Sequence, residues 1–525
     1  MDLLTQHARG EHTGDGSRAA VIVDASGGAR PSATTYAELE SMANRLARTL
    51  LALGAGRGDR IAWCGPNSLE VITVLHAARK AQVTAVPVSY RFTAHEMQYV
   101  IDNSDAVIVV VDAEQAPLVA SVREQLPNVR AVLVYGGDVP DGCLDLHLAV
   151  ELESDAELTD AEVTDDEAAN SRSGATMIYT SGTTGKPKGA MRSAPDSATV
   201  FAMLDTLGML GDPPVHLTTG PLYHSGPLSF AVLAHTLGGC VVVLRKFDPV
   251  SWLRLVKEHR ITDTFSAPTQ LKRIVSLAPG ELARADLSSM RTLIANAAPV
   301  PYALKQELIE KLGDGFLYEV YGSTELGVVT VLPPADQLRK PGSCGKPYGA
   351  IQVRIVGDDG QDAPTGTPGE LFIRTTLEMD GYHRTEEQLT QHDREWKSVG
   401  DVAYVDDEGY VFICDRKNDM IISGGVNIYP AEIEAVLHEH PGVLDCAVLG
   451  VPDDEWGERV HAILQARDGA TLDLDEVRAF VEERLARYKQ PRDYELRAEL
   501  PRTDSGKLLK RVLRDEFWGD RETAV

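Results

Sequence analysis

Residues 179–190, YTSGTTGKPKGA, place three glycines, one serine, three threonines and two lysines in one short run. Hydroxyls, backbone N–H groups left accessible by glycine, and two ammonium groups could converge there on an anion. That is the chemistry of a loop that cradles phosphate, with Thr180, Ser181, Gly182, Thr183, Thr184, Lys186 and Lys188 as candidate ligands. It is not a Walker-type loop. Gly182 and Gly185 are too close together, and Pro187 rather than Ser or Thr follows Lys186. A flexible surface loop is the competing reading, which the two lysines and the proline weaken but do not remove.

The surrounding elements must position that loop. The small apolar run SGATMI before it reads as a short strand. Residues 36–53 put Leu39, Met42, Leu46, Leu50 and Leu53 on one helical face. GAGRGDRIAWCG reads as turn and strand, SLEVITVLHAARKAQ as a helix, and DAVIVVVD (105–112) as a strand buried on both faces. Helices alternating with buried strands predict α/β layers on parallel sheets. Residues 151–167 hold nine acidic side chains and few large apolar ones, and read as a solvated connector. A polar, glycine-bearing joint at 415–430 precedes a helix opened by Pro430, a strand CAVLGVP, and a helix with Val477, Phe480, Val481, Leu485 and Tyr488 on one face. The fold class expected is therefore α/β: a large N-terminal domain of layered α/β sheets (1–417) and a small mobile α+β C-terminal domain (418–525).

At 525 residues the chain is too long for a single core. Its 51 Lys and Arg stand against 78 Asp and Glu, a net charge of −27, which argues against a nucleic-acid or anionic-membrane partner. The six scattered cysteines show no metal or disulfide spacing and fit a reducing compartment. Neither a signal peptide nor an apolar run of the ~20 residues needed to span a membrane is visible, so a cytoplasmic location is expected.

The loop has company. YTSGTTGKPKG, YGSTE (321–325), GELFIR (369–374), VGD (399–401), DRKNDMIISGGVNIYPAEIE (415–434) and PRTDSGK (501–507) occur in that order. In kind, order and spacing they resemble the motifs of the adenylate-forming superfamily of acyl-CoA synthetases, luciferases and peptide-synthetase adenylation domains. The resemblance runs from about Tyr36 to Lys507. It implies a two-step acid–thiol ligation with ATP, Mg²⁺ and coenzyme A: a carboxylate attacks the α-phosphorus, then a thiol displaces AMP. It also implies that the small domain rotates between the steps.

Carried over residue by residue, the resemblance gives the 180–188 loop the β- and γ-phosphates and Thr324 the α-phosphate. Glu325 would bind the metal, and Tyr321, with Gly322 and Ser323, the adenine. Asp401 would take both ribose hydroxyls, Arg416 the ribose or phosphate side, and Asn418 the hinge. Lys507 would bridge carboxylate and α-phosphate during adenylation. Ala297, Ala298 and Pro299 would flank the nucleotide. His224, Ser225, Phe230, Asn296 and Gly327 would line the acyl pocket, with His224 a candidate gate or a structural histidine. Ser423, Gly424, Gly425 and Val426 would face CoA. Several positions depart from the family pattern. Asn418 stands where Asp or Lys is common, Val426 where Glu is frequent, VGD replaces TGD, and NAAP (296–299) replaces GGAP.

The 221–230 segment offers no obvious buried cation, which favours an apolar acid over an amino acid. NAAP with YGSTE also resembles the branch handling bulky or polycyclic acids. CoA is the expected acceptor. A separate carrier protein, a dedicated acyl-AMP-to-CoA transferase and a non-catalytic nucleotide binder are the alternatives, and a homodimer is left open.

Overall fold

The computed structural model describes residues 3–10, 16–24, 32–159, 162, 176–180, 187–193, 195–386, 388–417, 419–467, 472–502 and 508–519. Four sheets organise them. The first runs, in spatial order, Gly381–Tyr382, Lys188–Arg192, Thr176–Thr180, Thr84–Val88, Arg60–Cys64, Ala106–Asp112, Ala131–Tyr135 and Leu144–Asp145. It is parallel from Thr176–Thr180 onward. Strand Ala106–Asp112 is buried along its whole length, as its valine run predicts. Strands Thr176–Thr180 and Lys188–Arg192 are antiparallel, pairing Thr180 with Lys188, so the glycine-rich loop joins the two arms of a hairpin.

The second sheet is parallel from Leu317–Ser323 through Thr292–Ala295, Asp263–Ser266, Val215–Thr218 and Cys240–Val243 to Ala19–Val23. Strand Gly327–Leu332 turns back antiparallel on Leu317–Ser323. The third sheet is antiparallel and carries Gly369–Arg374, Asp401–Val405 and Val411–Arg416. One apolar core joins the second and third sheets through Ile294, Val320, Val331, Leu371, Ile373, Ala403 and Val411. A fourth sheet, built on Val443–Asp453 and Gly457–Ala466, forms the small C-terminal domain with its own core around Ile433, Leu437, Val448 and Val477. The architecture is thus a large N-terminal α/β domain followed by a smaller α+β one. No helix among the described residues is long and apolar enough to cross a membrane.

Local signals explain the elements. Helix Tyr36–Ala52 opens on a capping box in which Thr35 and Glu38 satisfy each other's backbone N–H. Its buried face is Tyr36, Leu39, Ala43, Leu46, Ala47 and Leu50; Met42 and Leu53 of the expected stripe are only half-buried. Two sequence expectations need correction. The acidic connector is not merely solvated: Glu157 pairs with Arg9 and Glu162 with Arg48, so its charges fasten it to the N-terminal helices. The helix expected to carry Val477 through Tyr488 spans only Leu474–Glu482, and Tyr488, 54 % exposed in a short 3₁₀ turn, does not join its apolar face.

Candidate active site

The hairpin Leu317–Ser323/Gly327–Leu332 carries YGSTE at its bend. Its register slips between Tyr321 and Gly322. A Cβ on Gly322 would lie 2.1 Å from the Gly327 carbonyl oxygen, so only glycine allows the two arms to close there. The Leu326 N–H donates to Ser323 Oγ at 3.1 Å and tightens the turn. Thr324 and Glu325 project from it, each held by residues remote in sequence. Thr324 Oγ1 lies 2.9 Å from Ser225 Oγ. The Tyr382 hydroxyl donates to Glu325 Oε1 at 3.0 Å, and the Met379 N–H donates to the Glu325 carbonyl at 2.7 Å. Lys188, at the foot of the glycine-rich loop, places its ammonium 5.7 Å from the Tyr382 ring centre. Arg192, four residues on, donates to the carbonyls of Thr324 and, at 2.7 Å, Leu377. Ser225, read as acyl-pocket lining, and Thr324, read as a phosphate ligand, are therefore direct neighbours.

A second group forms where the third sheet meets the same hairpin. Asp401 and Arg416 are paired across adjacent strands. Asp401 is 7 % exposed; its Oδ2 accepts the Tyr321 hydroxyl at 2.5 Å, and Arg416 Nε lies 3.7 Å from Oδ1. Burial first, then the Asp401 carboxylate, holds the Tyr321 hydroxyl well above its ordinary pKa, so it remains a donor.

The NAAP segment follows strand Thr292–Ala295. Asn296 Nδ2 donates to the Val320 carbonyl at 2.6 Å, tying this loop to the strand that bears Tyr321. Ala297 adopts φ +78°, a left-handed conformation that costs a non-glycine residue about 1–2 kcal/mol. Just beyond, the Val300 N–H donates to Glu319 Oε1 at 3.2 Å, and Glu319 forms a buried ion pair with Lys305.

His224 precedes helix Ser225–Thr236, with its ring 4.4 Å from that of Tyr223. Phe230 is 2 % exposed and stacks on Phe265 at 5.6 Å, within the core that joins the second and third sheets. Gly327, with φ +72°, opens the returning arm of the hairpin; a Cβ there would meet Leu377 at 2.7 Å.

The glycines 424 and 425 form a two-residue turn in the C-terminal domain, with φ +59° and +81°, between paired Ser423 and Val426. A Cβ on Gly424 would lie 2.5 Å from the Trp456 ring, and the Gly424 N–H donates to the Trp456 carbonyl at 2.8 Å. Val426 is 45 % and Trp456 39 % exposed. The structure thus brings Lys188, Ser225, Thr324 and Glu325 together, and Tyr321, Asp401 and Arg416 together. The 423–426 turn shares no hydrogen bond with either group among the described residues. Ser181, Gly182, Thr183, Thr184, Lys186, Asn418 and Lys507 lie outside the described residues.

Sequence reasoning missed Arg192, Tyr382 and the Lys305–Glu319 pair. The one signal for Arg192 was a charge directly after the apolar run Gly189–Met191; Tyr382 and Lys305 gave none.

A hydroxyl-bearing turn beside a lysine-bearing hairpin, with a buried carboxylate of the third sheet that accepts the Tyr321 hydroxyl and faces Arg416, gathers donors and cations suited to an anionic, hydroxyl-bearing ligand such as a nucleotide. Comparison with known proteins agrees. The model of the AMP-binding enzyme family matches residues 11–383, and that of the AMP-binding enzyme C-terminal domain matches 432–507. The chain belongs to the AMP-binding enzyme family. It is 38 % identical to a feruloyl-CoA synthase of an Amycolatopsis species, over 92 % of this chain and 94 % of that protein. It is 33 % identical to a fatty acid–[acyl-carrier-protein] ligase of Streptomyces coeruleorubidus, over 94 % and 93 %. ATP-bound MatB of Rhodopseudomonas palustris superposes with a TM-score of 0.84 at 30 % identity, covering 98 % of this chain and 99 % of that one. The chain is accordingly an ATP-using, AMP-forming ligase of the acyl- or aryl-CoA class.

Proposed function

We propose that the chain joins a bulky, apolar carboxylic acid to coenzyme A in two steps. In the first, a carboxylate oxygen bonds to the α-phosphorus of ATP while the bond to the bridging oxygen breaks and pyrophosphate leaves. In the second, the CoA sulfur bonds to the acyl carbon, the carbon–oxygen bond to AMP breaks, and the thiol proton passes to solvent. The observation that carries this reading is the 2.9 Å contact between Ser225 and Thr324. An acid held beside Ser225 would meet a phosphate held by Thr324.

Both reactants are anions, so preorganised cations and donors must offset their repulsion. Ser181, Thr183, Thr184, Lys186 and Lys188 would hold the departing phosphates, and Lys507 would span carboxylate and α-phosphate. Asp401 would accept the ribose hydroxyls, sharing a carboxylate oxygen with Tyr321. Glu325 fits a hard cation: one oxygen accepts a single hydroxyl, and the carboxylate has no ion pair among the described residues. Mg²⁺ bound there would neutralise charge on the phosphates. Residues 1–417 would form the adenylating domain and 418–525 the mobile one, pivoting at Asn418. Ser423, Gly424, Gly425 and Val426 would face CoA.

The names of the relatives, a feruloyl-CoA synthase and a fatty-acid ligase, support an acid with an apolar body. The test is acid-dependent ATP–pyrophosphate exchange over aliphatic, aryl and polycyclic acids. Ala297→Trp should block the largest acids first; uniform loss over all sizes would move Ala297 to the nucleotide side alone. The carrier-protein relative supports a second reading in which the acceptor is a phosphopantetheine-bearing protein. Thioester formation with a loaded carrier but not with free CoA would favour it.

A further inference from the structure

Arg192 is a half-buried cation whose terminal nitrogens serve backbone. It ends strand Lys188–Arg192, which emerges from the glycine-rich loop, and its side chain crosses to the second sheet. One terminal nitrogen donates there to the Thr324 carbonyl, and the other donates to the carbonyl of Leu377, in the segment that leads to strand Gly381–Tyr382. It forms no carboxylate ion pair among the described residues. Burial pulls its pKa down, and the nearby carboxylates of Glu325 and Asp380 oppose that effect. Nothing about the end of a strand requires so costly a group.

The carbonyls it grips are informative. Fixing the Thr324 carbonyl fixes the peptide plane between Thr324 and Glu325, and with it the directions in which the Thr324 hydroxyl and Glu325 carboxylate leave the turn. Tyr382, which holds Glu325 Oε1, comes from strand Gly381–Tyr382, where it pairs with Ala190 two residues before Arg192. Asp380 next to it accepts from the Ser193 N–H at 2.9 Å and from the Ser193 hydroxyl at 2.7 Å. One strand pair of the first sheet therefore clamps the turn of the second from two sides. The phosphate-loop hairpin and the Thr324–Glu325 turn, 132 residues apart between Arg192 and Thr324, are registered through this clamp.

We infer that Arg192 is a positioning residue for adenylation: it sets the Thr324–Glu325 turn against the phosphate loop so that acid and α-phosphate meet. This rests on the adenylation reading above. A lysine can approach one carbonyl but cannot match the guanidinium fork on two. Displacement of a reacting group by ~1 Å costs about 10²-fold in rate.

The test compares wild type, Arg192→Lys, Arg192→Met and Arg192→Ala in the two half-reactions, with thermal unfolding measured alongside. Expected in all three variants is a fall of about 10²-fold in kcat for pyrophosphate exchange. The KM for ATP should change far less, and CoA transfer from synthetic acyl-AMP should be largely kept. Methylguanidinium should restore part of the exchange activity to Arg192→Ala and none to Lys507→Ala. If Arg192→Met does not fold, Arg192→Lys, which keeps the charge and most of the aliphatic stem, decides by the same split. Equal loss in both half-reactions, or unchanged exchange in Arg192→Lys, overturns the inference. Absence of exchange in the wild type would instead overturn the adenylation reading on which it rests.

Discussion

The Thr324–Glu325 turn and the Gly424–Gly425 turn are both tight hairpin bends, yet they are built differently. The first is clasped from outside by Arg192, Ser225 and Tyr382, drawn from two strands of another sheet and from a helix. The second leans on one neighbour, Trp456, within its own sheet, and leaves Val426 and Trp456 half open to solvent. The contrast fits the two chemical steps. Joining two anions needs charges and donors fixed beforehand. Accepting a neutral thiol onto an already activated acyl group needs access more than fixed charge. On this account, damage to the first region should fall on adenylation, and damage to the second on thioester formation.

The largest effect is expected from Lys507→Ala, which removes the ammonium proposed to sit between carboxylate and α-phosphate. Adenylation should fall about 10²–10³-fold while CoA transfer from synthetic acyl-AMP persists. Equal loss in both steps would assign Lys507 to the fold or to CoA. Next is Asp401→Ala. Loss of a charge-assisted acceptor should weaken ATP and AMP binding by about 1.5–3 kcal/mol, measured by calorimetry, with the fold retained. Unchanged affinity would remove Asp401 from the nucleotide site.

Gly424→Ala should act on the other side of the comparison. A left-handed φ costs alanine about 1–2 kcal/mol, and the added methyl would press on the Trp456 ring. CoA transfer should slow while pyrophosphate exchange continues, and slowing of both would break the division between the regions.

The smallest effect concerns the joint between them. Asp415 accepts the Ala431 N–H at 3.0 Å, capping helix Pro430–Glu439 from a strand of the third sheet. Burial pushes its carboxyl up to about 6, with Lys510 opposing and Glu434 adding to the rise. A carboxyl raised in the folded state favours folding most when protonated. Its contribution therefore declines as pH climbs from the ordinary 3.8 towards about 6 and is flat above that. Asp415→Asn, which keeps an acceptor for the cap, should abolish that decline. The wild-type-minus-variant stability, from urea unfolding at several pH values, should shrink across this window; a constant difference would contradict the assignment.

What the sequence made legible follows the range of the interactions. The buried valine strand, the capping box at Thr35 and Glu38, and the glycine pair at 424–425 are set by residues a few positions apart, and patterning reveals them. Motif order singled out Tyr321, Thr324, Glu325, Asp401 and Arg416, and the structure gathers them into two groups. Arg192 and Tyr382 were hard to read because each acts only where separate sheets meet, and the Lys305–Glu319 pair because it joins a helix to a strand that packing alone brings together. The Glu325–Tyr382 and Tyr321–Asp401 contacts span 57 and 80 residues. No spacing rule reaches so far. Likewise, the acidic stretch at 151–167 looked solvated because Arg9 and Arg48, its partners, lie more than a hundred residues earlier.

The most direct test of the two-step account is a single-turnover experiment with enzyme in excess over ATP and an accepted acid present, at first without CoA. The account predicts that acyl-AMP accumulates on the enzyme with one pyrophosphate released per ATP, and that added CoA then converts it to thioester and AMP. ATP left intact in the absence of CoA, by an enzyme that nonetheless converts synthetic acyl-AMP to the thioester, would contradict it.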